Sequence, residues 1–199
     1  MTLFRSPLLV LDFETTGFPG HDWARAIELG AVLLNERGDE CATFGCLIRP
    51  DILDERADGA LAINHIARAD LEAADPTEAI AARFHDWYAL LPDPNAPAVR
   101  PPYVTSFNVD FDRVFAERMG LQLRGWASCV MLRASDIMGA AGELPRSRDG
   151  RGYRWPKLSH AAQFFGVTVD GEPHRAVTDA RTAARIAVAI QRRCFEVAA

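Results

Sequence analysis

Apolar and polar positions alternate along this chain in patterns that change every ten to twenty residues. Leu8-Leu9-Val10-Leu11 is an unbroken apolar run that leads into Asp12-Phe13-Glu14-Thr15-Thr16-Gly17. A short run of this kind ending in a turn signal predicts a strand buried on both faces. Ala26 to Asn35 predicts a second strand, Glu36-Arg37-Gly38-Asp39 a turn, and Ala42 to Ile48 a third strand. The short turn predicts antiparallel pairing of those two strands. Pro50 to Asp54 reads as a loop, and Ile63-Asn64-His65-Ile66 as a helix end or turn.

Helical spacing follows. Asp75-Pro76-Thr77-Glu78 predicts a helix start with Asp75 as cap and Pro76 at the first position. Ile80, Phe84, Trp87, Tyr88 and Leu91 then recur as a core stripe. The proline-rich stretch from Leu91 to Pro102 predicts a loop, and Tyr103 to Phe107 a short strand. The next helix carries Phe111, Val114, Phe115 and Met119, with Asn108 or Asp110 as its cap. Trp126 to Leu132 predicts a further strand, Ala134 to Met138 a short helix, and Gly139 to Pro156 a long loop. Lys157 to Phe165 predicts a helix ended by Gly166. A last helix starts near Ala176, with a stripe of Ala180, Ala183, Ala184, Ala187 and Ile190.

Length and composition narrow the class. At 199 residues and 49% apolar content, the chain suits one domain with a full core. No run approaches the roughly 18 apolar residues of a membrane span, and no basic segment followed by a long apolar stretch opens the chain. The expectation is a cytoplasmic protein with no membrane partner. Cys41, Cys46, Cys129 and Cys194 lack metal-binding spacing, so reduced thiols are expected. A formal charge of −5 argues against a stoichiometric DNA coat. It is compatible with an enzyme that meets phosphates through metal ions, which cancel charge locally.

Candidate chemistry lies in the acids. Asp12 and Glu14 are two apart on a strand, so they project to the same side. Two such charges repel unless something positive lies between them, and hard oxygen ligands suit Mg or Mn. The ordinary alternative is a polar strand end entering a turn. Glu28 reads as a solvent-side residue of the second strand, and His65 as a surface or packed histidine. Asp112 falls in a first helical turn, where it either complements the helix dipole or joins a site. Asp179 lines up with the apolar stripe of the last helix, a costly place for an acid without a partner. His174 stands five residues before it. Arg146, Arg148, Arg151 and Arg154 share the glycine-rich loop, which suits either a flexible arm for phosphates or a solvated loop.

Taken together and in order, these segments resemble a family. Leu11-Asp12-Phe13-Glu14-Thr15-Thr16-Gly17, Asn108-Val109-Asp110-Phe111-Asp112 and His174-Arg175-Ala176-Val177-Thr178-Asp179 are similar to the three motifs of the DnaQ-like, or DEDDh, 3′-to-5′ exonucleases. The resemblance spans nearly the whole chain. Phe107 departs from the histidine many members carry before the Asn, and Ile63-Asn64-His65-Ile66 lacks a frequent glycine. The resemblance implies an α/β fold: a ribonuclease H-like mixed sheet of about five strands flanked by helices, in a single exonuclease domain over residues 1–199.

It further implies that Asp12, Glu14, Asp112 and Asp179 hold two divalent ions, Mg or Mn, with His174 as general base. Thr15 and Thr16 would meet the terminal nucleotide, with Asn64, Arg146 and Arg148 as further substrate-binding candidates. The implied substrate is a nucleic acid with a free 3′ end, single-stranded DNA in preference. The implied product is a nucleoside 5′-monophosphate, and a polymerase or repair protein is a possible partner. An exoribonuclease trimming RNA 3′ ends is the alternative reading. From other classes, a haloacid-dehalogenase-like phosphatase and a non-catalytic nucleic-acid-binding module compete. The sole lysine, Lys157, is followed by no paired-Asp motif of the phosphatase kind.

Overall fold

The first apolar run forms β1 (Leu8–Thr15), an inner strand of a four-stranded sheet, in a computed structural model that describes residues 2–91 and 101–198. β2 (Ala26–Leu34) pairs antiparallel with β1, and β3 (Glu40–Leu47) antiparallel with β2. β4 (Tyr103–Ser106) lies parallel on the other side of β1, giving the order β3-β2-β1-β4. A 3₁₀ turn at Glu55–Ala57 leads into α1 (Asp58–Asn64), α2 (Arg68–Ala73) and α3 (Thr77–Ala89). After β4 come α4 (Val109–Arg118), α5 (Val130–Ala140), α6 (Leu158–Phe165) and α7 (Ala176–Ala198).

Both faces of the sheet are covered, which is why β1 and β2 are apolar almost throughout. Leu9, Leu11 and Phe13 share one core with Ile80 and Phe84 of α3 and Phe115 of α4. Val10, Val32 and Leu34 share another with residues of α5, α6 and α7. Side chains alternate across a strand, so the even-numbered residues of β1 and β2 face α7. The small residues of α7 let it lie close. A Cβ added to Gly30 of β2 would fall 2.2 Å from the Ala176 carbonyl carbon. One added to Gly45 of β3 would fall 2.4 Å from Val177 Cγ2. Gly30 and Gly45 are register partners, so the first turn of α7 rests on a bare patch of sheet.

Three local expectations change. Trp126 makes a single bridge to Val104, and the chain then enters α5 at Val130 rather than running as a strand to Leu132. Val130, Ala134 and Met138 are all buried, and their four-residue spacing is the helical period that decides the matter. The sheet accordingly has four strands among the described residues, not about five. The loop expected over Gly139 to Pro156 is also structured. α5 runs on to Ala140, and Arg146 then pairs antiparallel with Tyr153. Ser147 N donates to Gly152 O and Arg154 N to Pro145 O, making a hairpin. The Tyr153 ring lies directly over Gly139 and anchors it. At α3, Pro76 takes the cap position and the Asp75 carboxylate instead pairs with Arg83 at 3.0 Å. Of the expected proline-rich loop, residues 92–100 lie outside the described residues.

Candidate active site

Asp12 and Glu14 project from the end of β1 toward α7, as their spacing requires. Directly across on β2, Glu14 faces Glu28 and Asp12 faces Gly30. β4 stops pairing at Ser106, opposite Leu11, so the last residues of β1 have an edge not used by the sheet. The first turn of α4 fills it: Phe13 N donates to Asp112 Oδ1 at 3.1 Å, a buried contact. On the opposite side, α7 brings Asp179 and the preceding loop brings His174. Ligand atoms of Glu14, His174 and Asp179 all lie within 4.8 Å of one another.

The electrostatics record how crowded this pit is. Burial pushes the Asp12 carboxyl well above the usual carboxylate range, and repulsion from Asp112, Asp179, Glu14 and Glu28 adds to it. Burial, with repulsion from Asp179, Glu28 and Asp112, pushes Glu14 up to about 8, against the opposing pull of Arg175. Asp112 rises to about 7 through burial, resisted by the Ser106 hydroxyl and the Phe13 amide. Asp179 rises through burial too, resisted by His174. No lysine or arginine among the described residues is ion-paired to any of these four acids.

Glu28 is the exception. Arg175 grips it through Nε at 3.1 Å and Nη2 at 2.8 Å, and Ala176 N donates to it at 3.0 Å. The expectation that Glu28 faces solvent is therefore corrected: it is only 5% exposed, beneath the start of α7. Its position opposite Glu14 was the available signal, because like charges facing each other across a ladder need a partner.

Convergent carboxylates are the donor set of a hard divalent ion, and burial is the first cause of the upward shift in each of the four. Glu14, His174 and Asp179 lie close enough together to hold a metal ion, with Asp12 and Asp112 beside them.

Beyond Glu14 opens a cleft of about 470 Å³. Thr15, Thr16 and Asn64 line it together with Phe18, Trp23 and Ile63. Asn64 Nδ2 donates to Thr15 O at 3.4 Å, fastening α1 to the end of β1. The threonine hydroxyls serve the turn itself: Thr15 Oγ1 donates to Gly17 O, and Thr16 Oγ1 accepts from Arg25 N. Phe18 is 72% exposed and Ile63 58%, so the cleft has free apolar walls beside the acids. Such a pairing can hold a flat apolar ring with a phosphate at its edge. Phe18 and Trp23 were not singled out from sequence, although large apolar residues inside a glycine-proline turn were there to be noticed. Arg146 and Arg148 are not brought to the acids. Both sit on the hairpin after α5, where the Arg146 guanidinium lies 4.4 Å above the Tyr153 ring. His65 is exposed, in a left-handed conformation that closes α1.

Comparison with known proteins gives a consistent set of relatives. The profile of the RNase_T family, described as exonuclease, matches residues 9–119. That span holds Asp12, Glu14 and Asp112 and stops short of His174 and Asp179. The uncharacterized exonuclease CP81 of Escherichia phage 186 is 31% identical over 86 residues, 38% of this chain and 41% of that one. A 3′-exonuclease described in 3′-end specific recognition of a histone mRNA stem-loop superposes with a TM-score of 0.71 at 22% identity. That match covers 96% of this chain and 65% of the other. The nuclease domain of 3′hExo, a DEDDh family member bound to rAMP, gives 0.67 at 23% identity, covering 96% and 92%. The chain therefore spans less than two thirds of the phage relative and of the first of these structures. At such identities the structural matches establish a shared fold alone, a mixed sheet flanked by helices. No helix among the described residues is long and apolar enough to cross a membrane.

Proposed function

We propose, on the premise that this chain belongs to the RNase_T exonuclease family, that it is a metal-dependent 3′-to-5′ exonuclease releasing nucleoside 5′-monophosphates. The observation that carries this reading is the meeting of Asp12 and Glu14, Asp112, and His174 with Asp179 from three distant parts of the chain in one pit. A family profile that ends at residue 119 contributes nothing to the last two, so their arrival is independent support. It also disfavours the phosphatase alternative.

Asp12, Glu14, Asp112 and Asp179 would hold two divalent ions, Mg or Mn. When bound, such ions supply acidification of a water and screening of charge on a phosphodiester. A ring nitrogen of His174 takes the proton of the attacking water, within reach of Glu14 and Asp179. The bond from phosphorus to the departing 3′ oxygen breaks, and solvent supplies that oxygen with its proton. Exposure of His174 lets it return the captured proton to bulk water. Phe18, Trp23 and Ile63 would flank the terminal base, while Thr15, Thr16 and Asn64 shape the floor beneath its sugar. Arg146 and Arg148 would meet phosphates farther along the strand.

The preferred substrate in this proposal is single-stranded DNA, the working place the cytoplasm, and a polymerase or repair protein a fitting partner. RNA is the second reading, favoured because both structural relatives are described with RNA or its nucleotide. Matched DNA and RNA oligonucleotides labelled at the 5′ end decide between them. Shortening ladders are expected with Mg or Mn and none with chelator. Intact ends on both polymers with either ion would end the proposal.

A further inference from the structure

Glu28 is a fifth acid beside the pit, and its connections differ from those of the other four. Both of its oxygens are already occupied, by the Arg175 guanidinium and by the amide of Ala176. These two residues follow His174 directly. Resting on the exonuclease reading, we propose that Glu28 is a positioning residue. It clamps the start of α7 onto the sheet and so sets where His174 and Asp179 stand relative to Asp12 and Glu14.

Four observations converge on this assignment. First, Glu28 and Gly30 are two apart on β2 and face α7 together. Gly30 admits the backbone of Ala176 and Val177 at a separation no side chain would allow, and Glu28 fastens it there. Second, His174 has φ of +60°, a left-handed conformation that residues other than glycine rarely adopt. Strain of that kind persists where neighbouring contacts hold it, and the clamp begins at the very next residue. Third, Asp179 N bonds to Arg175 O at 3.0 Å, so movement of Arg175 is transmitted to Asp179. Fourth, a bare Glu28 opposite Glu14 would be a repulsive pair, and Arg175 neutralises it without reaching the four convergent acids as an ion-pair partner. An acid pair across β2 and β1 thereby becomes one anchor and one ligand.

The test compares Glu28→Gln with Glu40→Gln. Gln retains the size of the side chain and one acceptor, but loses the charge that grips Arg175. Glu40 of β3 pairs with Arg181 of the same helix at 2.9 Å, outside the pit, and serves as the control for general loosening of α7. Single-turnover and steady-state cleavage of a labelled oligothymidylate with saturating Mn are measured. Alongside them, the backbone amide of Ala176 and the ring protons of His174 are followed by NMR in the metal-free protein.

For Glu28→Gln, kcat is expected to fall about 10–100-fold with KM held within about 2-fold, while Glu40→Gln stays at wild-type rates. The Ala176 amide and His174 ring signals shift in Glu28→Gln alone. Wild-type kcat in Glu28→Gln, or an equal loss in both variants, overturns the assignment. If the wild-type protein itself cleaves nothing, the nuclease reading fails separately and the NMR comparison decides. Signals that move only in Glu28→Gln then support the clamp, and unmoved signals in both variants refute it. Arg175→Lys, which keeps the charge but not the two-pronged grip, substitutes for Glu28→Gln should that variant not fold.

Discussion

Among single residues, His174 separates binding from turnover. On the proposed reading the four acids hold the ions, whereas the imidazole takes the proton. His174→Ala is expected to slow cleavage about 10²–10⁴-fold, the usual worth of a positioned general base. Mn affinity, read by titration, should stay close to that of the wild type. Unaltered single-turnover rates in the variant would remove His174 from the chemistry. The acids themselves make a prediction about pH. Folded and metal-free, Glu14 and Asp112 keep their protons up to about pH 8 and about pH 7. In the unfolded chain such groups ionise near about pH 4. Between those limits the native state binds more protons than the unfolded one, so stability falls as pH rises. Melting temperature in chelator is expected to drop from about pH 5 to about pH 8, and saturating Mn to reverse the drop, since the ions bind only the assembled pit. A flat or rising melting temperature in chelator over that range would contradict the shifts.

At the scale of elements, the hairpin between α5 and α6 is the part whose role the fold leaves open to measurement. It presents Arg146, Arg148, Arg151 and Arg154 together with Trp155, which is 66% exposed. Tyr153 anchors it through Gly139, and the Ser135 hydroxyl donates to Tyr153 O and Arg154 O. Neutralising the four arginines should therefore leave the hairpin in place. If they meet phosphates, KM for oligonucleotides rises and its dependence on salt flattens, because fewer counterions are released on binding. An unchanged salt slope would place the hairpin outside the path of the substrate. The same element shows the limits of reading periodicity. Glycines and prolines over 139–156 signal a loop, yet a hairpin closed by a single bridge is held there by a tyrosine meeting a glycine on another element. Contacts between distant residues carry no local pattern.

Over the whole molecule, the parts legible in sequence are those where local pattern and tertiary role coincide. β1 and β2 are legible because burial on both faces leaves continuous apolar runs, while β3, partly exposed along its length, is legible from the turn that precedes it. The positions of Asp12, Glu14, Asp112 and Asp179 at element ends were legible too, from their spacing and motif context. Glu28 was not, since its partner lies 147 residues away and only the strand register reveals the need for one. Trp126 to Leu132 misled because β-prone residues there also carry the four-residue spacing that decides for a helix once packed on α7.

The glycine seat under α7 has a consequence for how this protein tolerates change. Where the helix meets β2 at Gly30, main chain lies against main chain, and such a joint contains no side-chain torsions to absorb an error. The gap between the two halves of the pit is thus gauged by peptide thickness. Sequence drift on the outer surfaces of the helices can proceed without altering that gauge, while a single methyl group at residue 30 would reset it.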